Sequence, residues 1–291
     1  MQENHDISGL ILFDKPAGIT SFDSLYEIKK SLGTKKVGHT GTLDKFARGL
    51  LVALAGRALK LSQYFMHADK CYEAEVFFGA ETATLDPEGE IVATAAPPTK
   101  EAVLAVLPQF RGRIMQKPPE YSALHIDGKR AHELARAGIK PEMKAREITI
   151  HRIEMTDFEA ATDALSAKAR FTIECSSGTY IRALARDIAL ASGTRAHVTV
   201  LKRTRVAGFL LTQANGVLVP VSADVFAKIN IPSITVDTAA ALAMKHGQNL
   251  ERILLHREDA PPPLSASAVF CGEQFITLVT RDGSGRLRYG G

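Results

Sequence analysis

Between Cys71 and Phe78 the chain sets Tyr72, Ala74, Val76 and Phe78 against Glu73 and Glu75. A period of two cannot lie on one face of a helix, so this segment reads as a strand with one face buried and one wet. A strand of that kind needs partners and a cover. HVTVLKRT at 197–204 alternates in the same way, and further strands read at 148–158 and 169–175. ISGLILF at 7–13 and LLVAL at 50–54 carry the unbroken apolar character of buried strands. Helical signals interleave with these. Thr20-Ser21 can cap a helix on which Phe22, Leu25, Ile28 and Leu32 share one face before Gly33 closes it. RALKLSQYF at 57–65 reads as a second helix. Pro97-Pro98-Thr99 introduces another with apolar Val103, Leu104, Val106 and Leu107, and a fourth runs from about 180 to 191 with Ile181, Leu184, Ile188 and Ala189 inward. Asp86-Pro87-Glu88-Gly89 reads as a turn.

The 291 residues, 45% apolar and 23% charged, have globular proportions and room for a large domain and a small one. GLLVALAG at 49–56 is far too short to span a bilayer, and the stretch MQENHDISGLILFDKPAG lacks a basic signal-type start, so a cytoplasmic location is the expectation. Cys71, Cys175 and Cys271 lie too far apart for a zinc site or a disulfide scaffold and read as reduced, structural residues. A net charge of +4 permits a polyanionic partner without requiring one. Residues 111–147 are basic and broken by Pro118, Pro119, Gly128, Gly138 and Pro141, which predicts a long functional loop holding a short helix. From about 212 the texture changes, with Pro261-Pro262-Pro263 and a glycine-rich tail. These features set a boundary near 231, giving a domain over 1–231 and a smaller one over 232–291.

Chemistry concentrates in Gly38-His39-Thr40-Gly41-Thr42-Leu43-Asp44, preceded by Lys35 and Lys36. Its glycines and small threonines let backbone approach a bulky ligand, while one imidazole and one carboxylate rise from the same loop. The glycine spacing is wrong for a P-loop, and one His with one Asp is too few for a metal. Taken alone, the loop reads equally as a turn whose Asp caps the next element.

The wider pattern narrows this. GHTGTLD, followed by Ala47, Gly49 and Leu50-Leu51, resembles the catalytic motif of the bacterial tRNA pseudouridine-55 synthases, the TruB family. Asp14-Lys15-Pro16-Ala17-Gly18-Ile19-Thr20-Ser21 is similar to that family's opening motif, and Lys70-Cys71-Tyr72-Glu73-Ala74 to its strand bearing an active-site tyrosine. Gln116-Lys117-Pro118-Pro119-Glu120-Tyr121-Ser122-Ala123 with Gly128-Lys129-Arg130 resembles its RNA-gripping loop. Cys175 through Arg182 with Asp187, and Ala196-His197-Val198 with Leu201-Lys202-Arg203-Thr204, resemble two further site motifs. The match runs in order from residue 9 to about 209.

The resemblance implies an α+β fold: a central mixed, largely antiparallel sheet with flanking helices, residues 111–147 reaching over the cleft, and a small β-rich PUA-like C-terminal domain that touches RNA. It implies isomerisation of one T-arm uridine, at tRNA position 55, by a monomer acting on tRNA without cofactor or metal. Asp44 would be nucleophile or base on a flipped-out uridine, with Arg182 keeping it ionised. Tyr72 would stack on the uracil, with a second implied role as acceptor of the C5 proton. His39 would fill the emptied stack, Tyr180 hydrogen-bond at the site and Leu201 pack on the base, with Gly41, Thr42 and Lys15 also meeting substrate. Lys129, Arg130, Lys202 and Arg203 would follow the RNA backbone, where Arg111, Arg113, Lys117 and Arg205 add to the positive field.

Two positions depart from the family pattern. Lys45 stands where proline is usual, removing a rigid residue after Asp44, and His125 stands where lysine is common. Two other classes stay open on the residues. A tRNA-folding chaperone could use the same surface without turnover, although binding a polyanion needs no carboxylate in the site. A carboxylate-based hydrolase predicts a paired second acid, and none stands out near Asp44 in the sequence.

Overall fold

Lys70–Phe78 is a central strand of a ten-stranded sheet in the computed structural model, which describes residues 7–126, 128–160, 166–254 and 266–290. The proline run at 261–263 lies outside the described residues. In chain order the elements are β1 (Gly9–Lys15), α1 (Ser21–Leu32), β2 (Val37–His39), β3 (Arg48–Ala55), α2 (Ser62–His67), β4 (Lys70–Phe78), β5 (Ala80–Thr82), β6 (Ile91–Thr94) and α3 (Lys100–Val106). Then come β7 (Gly112–Gln116), β8 (His125–Ile126), β9 (Lys129–Arg130), α4 (Ala131–Arg136), β10 (Arg146–Glu159), β11 (Ala167–Cys175), α5 (Ile181–Ala191), β12 (Ala196–Val206), β13 (Phe209–Leu210) and β14 (Leu218–Val219). The chain continues through α6 (Ala223–Lys228), β15 (Ser233–Thr235), α7 (Thr238–Lys245), α8 (Leu250–Leu254), β16 (Ala266–Cys271), β17 (Gln274–Arg281) and β18 (Leu287–Gly290).

The sheet order is β14-β1-β3-β12-β4-β11-β10-β7, with β2 beside β3 and β13 beside β12. Neighbours along it are antiparallel except β3 and β12, which run parallel over Lys202↔Arg48 and Arg203↔Gly49. The alternation of β4 is used as its pattern demands. Tyr72, Ala74, Val76 and Phe78 enter a core with Val103 of α3 and Ile181, Leu184 and Ile188 of α5, while Glu73 and Glu75 face away. On the other flank β1 and β3 are buried on both faces: Leu10, Leu12, Leu50 and Val52 on one side, Ile11, Ala53 and Ala55 under α1 on the other. Burial on both faces is why those strands read as unbroken apolar runs. Residues 233–290 contribute a separate four-stranded sheet, β15-β16-β17-β18, whose Phe270 and Leu278 share an apolar cluster with Phe226, Phe209 and Phe65. No helix among the described residues is long and apolar enough to cross a membrane.

Helix α1 starts as its sequence predicts. Thr20 and Asp23 form a capping box, and Gly33, at φ 64°, closes the far end. Its apolar face is narrower than expected. Leu25 and Ile28 are buried, but Phe22 is 71% exposed and lies beneath the Lys29 ammonium, 5.6 Å from its ring centre. Leu104 of α3 is likewise exposed, because only Val103, Val106 and Leu107 face the sheet. Residues 111–147 also differ from the expected loop. Gly112–Gln116 is the edge strand β7, paired with Arg146–Ile150 of β10, and its basic Arg113 marks a sheet edge rather than a loop.

Gly49 is where β3 meets β12. Its φ is +106°, and a Cβ there would stand 2.4 Å from the carbonyl oxygen of Arg203. We expect Gly49→Ala to cost about 3 kcal/mol or more, from backbone strain plus lost strand pairing. Chemical denaturation would measure it, and an unchanged midpoint would show that the two strands can part freely.

Candidate active site

The loop ending in Asp44 joins β2 to β3, and of its own side chains Thr40 helps to hold it. Residues outside the loop bind the rest of its backbone. Thr40 gives both its amide and its hydroxyl to the carbonyl of Val52, at 3.0 and 3.2 Å. Ser21, at the start of α1, accepts from the Leu43 amide at 2.8 Å and donates to the Leu43 carbonyl at 3.0 Å. From β12, Arg203 donates to the carbonyls of Leu50 at 2.8 Å and Gly41 at 3.1 Å. The Gly18 amide donates to the Lys45 carbonyl at 2.8 Å. The usual proline at position 45 is therefore replaced by a backbone held from outside.

At the end of this loop Asp44 meets Arg182, from the first turn of α5. Nη2 donates to Oδ1 at 3.1 Å, and Nε lies 2.9 Å from Oδ2 as an ion-pair contact without a hydrogen bond of its own. The two partners differ in exposure: the Arg182 side chain is 5% exposed and that of Asp44 36%. One partner is thus fixed inside the protein and the other opens to the cavity. Arg182 is held further by the carbonyls of Thr84 at 2.6 Å and Tyr121 at 3.0 Å, and by the Asp86 carboxylate at 3.1 Å. Burial pushes the Asp44 carboxyl above the usual carboxylate range; Arg182 draws it back down and the neighbouring Asp86 charge pushes it up again.

Asp86 escaped the sequence reading, which found no second acid near Asp44 and took Asp86 only as a turn former. It is buried and accepts from the Thr84 hydroxyl and the Glu88 amide, so one carboxylate serves both turn and guanidinium. Turn chemistry was visible in the sequence, but nothing local signalled its burial against Arg182. It grips Arg182 from behind and is not in the cavity wall, so it gives no acid pair of the hydrolase kind.

The cavity in front of Asp44, about 330 Å³, is walled by Thr42, Tyr72, Tyr180, Arg182, Leu201 and Arg203, among others. Sheet register assembles this wall. Tyr72 lies across from Arg203, and Leu201 across from Ala74. Burial holds the Tyr72 phenol above its ordinary value, partly offset by Arg203, so the ring is neutral at physiological pH. Tyr180 precedes α5, and Gln116 fixes its backbone by donating to its carbonyl at 3.1 Å and accepting from its amide at 2.9 Å.

Several expected contacts lie elsewhere. Lys15 is fully buried, does not line the cavity, and gives its ammonium to the carbonyls of Ile19 at 2.7 Å and Pro16 at 2.9 Å; desolvation lowers it to about 8. It therefore braces the turn behind the loop. Arg203 is 2% exposed and committed to backbone carbonyls, which leaves it no reach toward an RNA backbone. Lys202, one residue before it, points through the other face of the sheet and pairs with Glu73 at 3.1 Å. Lys129 and Arg130 are exposed on the β8–β9 hairpin, away from the cavity wall. His39 is half-buried at the end of β2, outside the wall, and its Nδ1 has no partner. The imidazole is pushed toward its neutral form, first by burial and then by Arg203.

A larger cleft, about 810 Å³, lies where α2 and α6 meet β17. Its charges are mostly spoken for, with Lys228 on Asp224 at 2.9 Å, Asp69 on His151 at 3.1 Å and Asp282 on Arg288 at 2.7 Å. Chemistry belongs to the smaller cavity, where the open carboxylate is. No thiol competes with it: burial pushes Cys175 up to about 12.

Residues 29–181, which contain this loop, β4 and the start of α5, match the model of the TruB family pseudouridylate synthase N-terminal domain. The chain belongs to the TruB family. It is 40% identical over 299 residues to tRNA pseudouridine synthase B of Cupriavidus metallidurans, covering 97% of this chain and 93% of that one. It is 46% identical over 221 residues to the protein of the same name from Treponema denticola, covering 71% of this chain and 62% of that one. Among solved structures it resembles the pseudouridine-synthase fold in an H/ACA RNP bound to a substrate RNA containing 2′-deoxyuridine, with a TM-score of 0.65 at 22% identity, covering 96% and 80% of the two chains. A Cbf5-Nop10-Gar1 complex gives a TM-score of 0.63 at 23% identity, with the same coverage. In this TruB-family chain the family motifs and the described geometry meet at Asp44.

The arginine between two carboxylates gives a pH signature. Asp86→Asn removes a like charge, so the Asp44 pKa should fall and the acid limb of kcat/KM move to lower pH. Turnover at neutral pH should drop as well, because Arg182 is held less firmly. Arg182→Lys should move that limb the opposite way, because the guanidinium contact to the Asp44 carboxylate is lost. A pH-rate profile that moves the same way for both variants would contradict this account.

Proposed function

We propose that this chain isomerises a uridine in the T-arm loop of tRNA, position 55, to pseudouridine, with Asp44 as the attacking carboxylate. The observation that carries this reading is a solvent-open carboxylate paired with a buried arginine, facing a neutral aromatic ring across a cavity of nucleoside scale. The named relatives, both tRNA pseudouridine synthase B, supply the substrate class.

The net reaction breaks the N1–C1′ bond, forms a C5–C1′ bond, removes a proton from C5 and adds one at N1, with no change in oxidation state. A carboxylate, acting as nucleophile or as base at carbon, is the one group this demands. Either role needs Asp44 ionised. Arg182 keeps it so against the burial that would protonate it. The uridine has to leave its stack to reach the cavity, and Tyr72 and Leu201 offer the faces between which a base can lie. As a neutral phenol Tyr72 serves first as a stacking surface and hydrogen-bonding group; to take the C5 proton its oxygen must hand on its own. His39, half-buried and neutral beside the loop, suits the role of filling the gap left in the RNA.

Residues 1–231 are assigned to the catalytic unit, with residues 232–291 as a small PUA-like module touching RNA. In this reading the enzyme acts as a monomer in the cytoplasm, without metal or cofactor. A pure folding chaperone is the weaker reading, because a carboxylate beside a bound polyanion costs affinity and serves no purpose unless it reacts.

Incubating an unmodified tRNA transcript with the protein and mapping pseudouridine tests this reading. Wild type should modify the T-loop uridine. Asp44→Asn should form no detectable product yet bind tRNA nearly as well. Product from the variant, or none from wild type, would refute the mechanism.

A further inference from the structure

Four cations line the cavity: Lys70, Arg146, Arg182 and Arg203. Three are committed to the protein itself. Lys70 gives its ammonium to the carbonyls that end α2, at 3.0 Å for Met66 and 3.3 Å for Phe65. Arg182 holds two carboxylates and two carbonyls, and Arg203 holds the catalytic loop. Arg146 differs. Its Nη2 donates to the Gly178 carbonyl and its Nε is buried without a hydrogen bond, as is that of Arg182, but among the described residues no carboxylate pairs with Arg146. The guanidinium is half-exposed at the cavity, and a shielded donor without an acceptor is costly until a ligand or the protein supplies one.

The residue is held ready for one. It is the first residue of β10, at the root of the segment that carries Ser122 and Ala123 into the cavity wall. Its guanidinium lies over the Tyr180 ring, 4.9 Å from the centroid. On another side is Gly178, at φ +79°, where a Cβ would come to 3.5 Å from the guanidinium carbon. Across the sheet Arg146 pairs with Gln116, which fixes the Tyr180 backbone. The planar fork is thus preorganised at the side of the cavity, where a nucleotide strand would bring its phosphates.

We propose that Arg146 is a phosphate-binding residue: its free guanidinium donors take a non-bridging oxygen of a backbone phosphate flanking the nucleotide whose base enters the cavity. This rests on the RNA-modifying reading above and assigns the group that grips the reacting nucleotide by its backbone. Contact of that kind acts alike on bound substrate and transition state, so its loss raises KM more than it lowers kcat.

The test uses the full chain and T-arm stem-loop RNAs with a single neutral methylphosphonate on the 5′ or the 3′ side of the target uridine. At one of these positions wild type should lose roughly tenfold in affinity, the size of one charge-assisted hydrogen bond. Arg146→Gln should bind the unmodified RNA equally weakly, with kcat at saturation nearly unchanged, and lose nothing further from that methylphosphonate. The slope of log Kd against log salt should fall by about 0.7, one single-strand phosphate contact. Arg146→Lys, which keeps the charge, should restore the slope and part of the affinity. If Arg146 merely props Tyr180, then kcat falls, the slope stays, and variant and wild type respond alike to the methylphosphonate; that result overturns the proposal. A wild type that binds and modifies unaltered RNA but ignores both methylphosphonates also overturns it. A wild type that modifies no tRNA would instead sink the functional reading.

Discussion

Arg182 is the group on which the rest of the site depends. A guanidinium this deep in the protein is tolerable only if its charge is compensated, and here two carboxylates and two carbonyls surround it. Those acceptors come from the catalytic loop, from the turn after β5 and from the segment following β7. One side chain therefore ties together three parts of the chain that have little else in common. The same arrangement sets the electrostatics of Asp44, which is pulled toward ionisation by the arginine and away from it by burial and by Asp86. The net direction is upward, so the arginine offsets only part of the effect of burial.

Around this centre the protein follows one rule: cations hold backbone. Lys15, Lys70 and Arg203 are each buried, and each spends its charge on carbonyl oxygens near the cavity. A glycine-rich loop has little conformational preference of its own, so its shape has to be imposed from outside. Lys15 and Gly18 brace it at Lys45, Ser21 at Leu43, and Arg203 at Gly41 and Leu50. Basic residues beside an RNA-modifying site invite the thought of phosphate contacts. In this site most of them are internal struts, and Arg146 stands out because its charge is not used up in that way.

Much of the fold was legible because the pattern of side chains mirrors their surroundings. Period two along β4 marked which residues face the core, and apolar runs marked β1 and β3 as covered on both sides. Helix faces were harder, since periodicity gives a stripe but not its width, and Phe22 and Leu104 fall outside the part that is covered. In β7 the basic Arg113, in a stretch rich in Lys and Arg, hid an edge strand. Period two also separates Lys202 from Leu201 and Arg203, and treating Lys202 and Arg203 as one RNA-facing pair ignored that geometry.

The sequence by itself determined the chemistry available: one carboxylate in a glycine-rich loop, an aromatic residue on an alternating strand, an arginine at a helix start, and the family to which that combination belongs. These are properties of residue type and local spacing, and they survive without coordinates. Tertiary structure decided which charges are free and which are committed. Asp86 became a partner of Arg182, Lys15 and Arg203 became braces, and Arg146 kept a donor to spare, because a charge in a protein is defined by what the fold places within hydrogen-bonding distance of it. That distance is set by strands and turns far apart in the chain, and no local pattern encodes it.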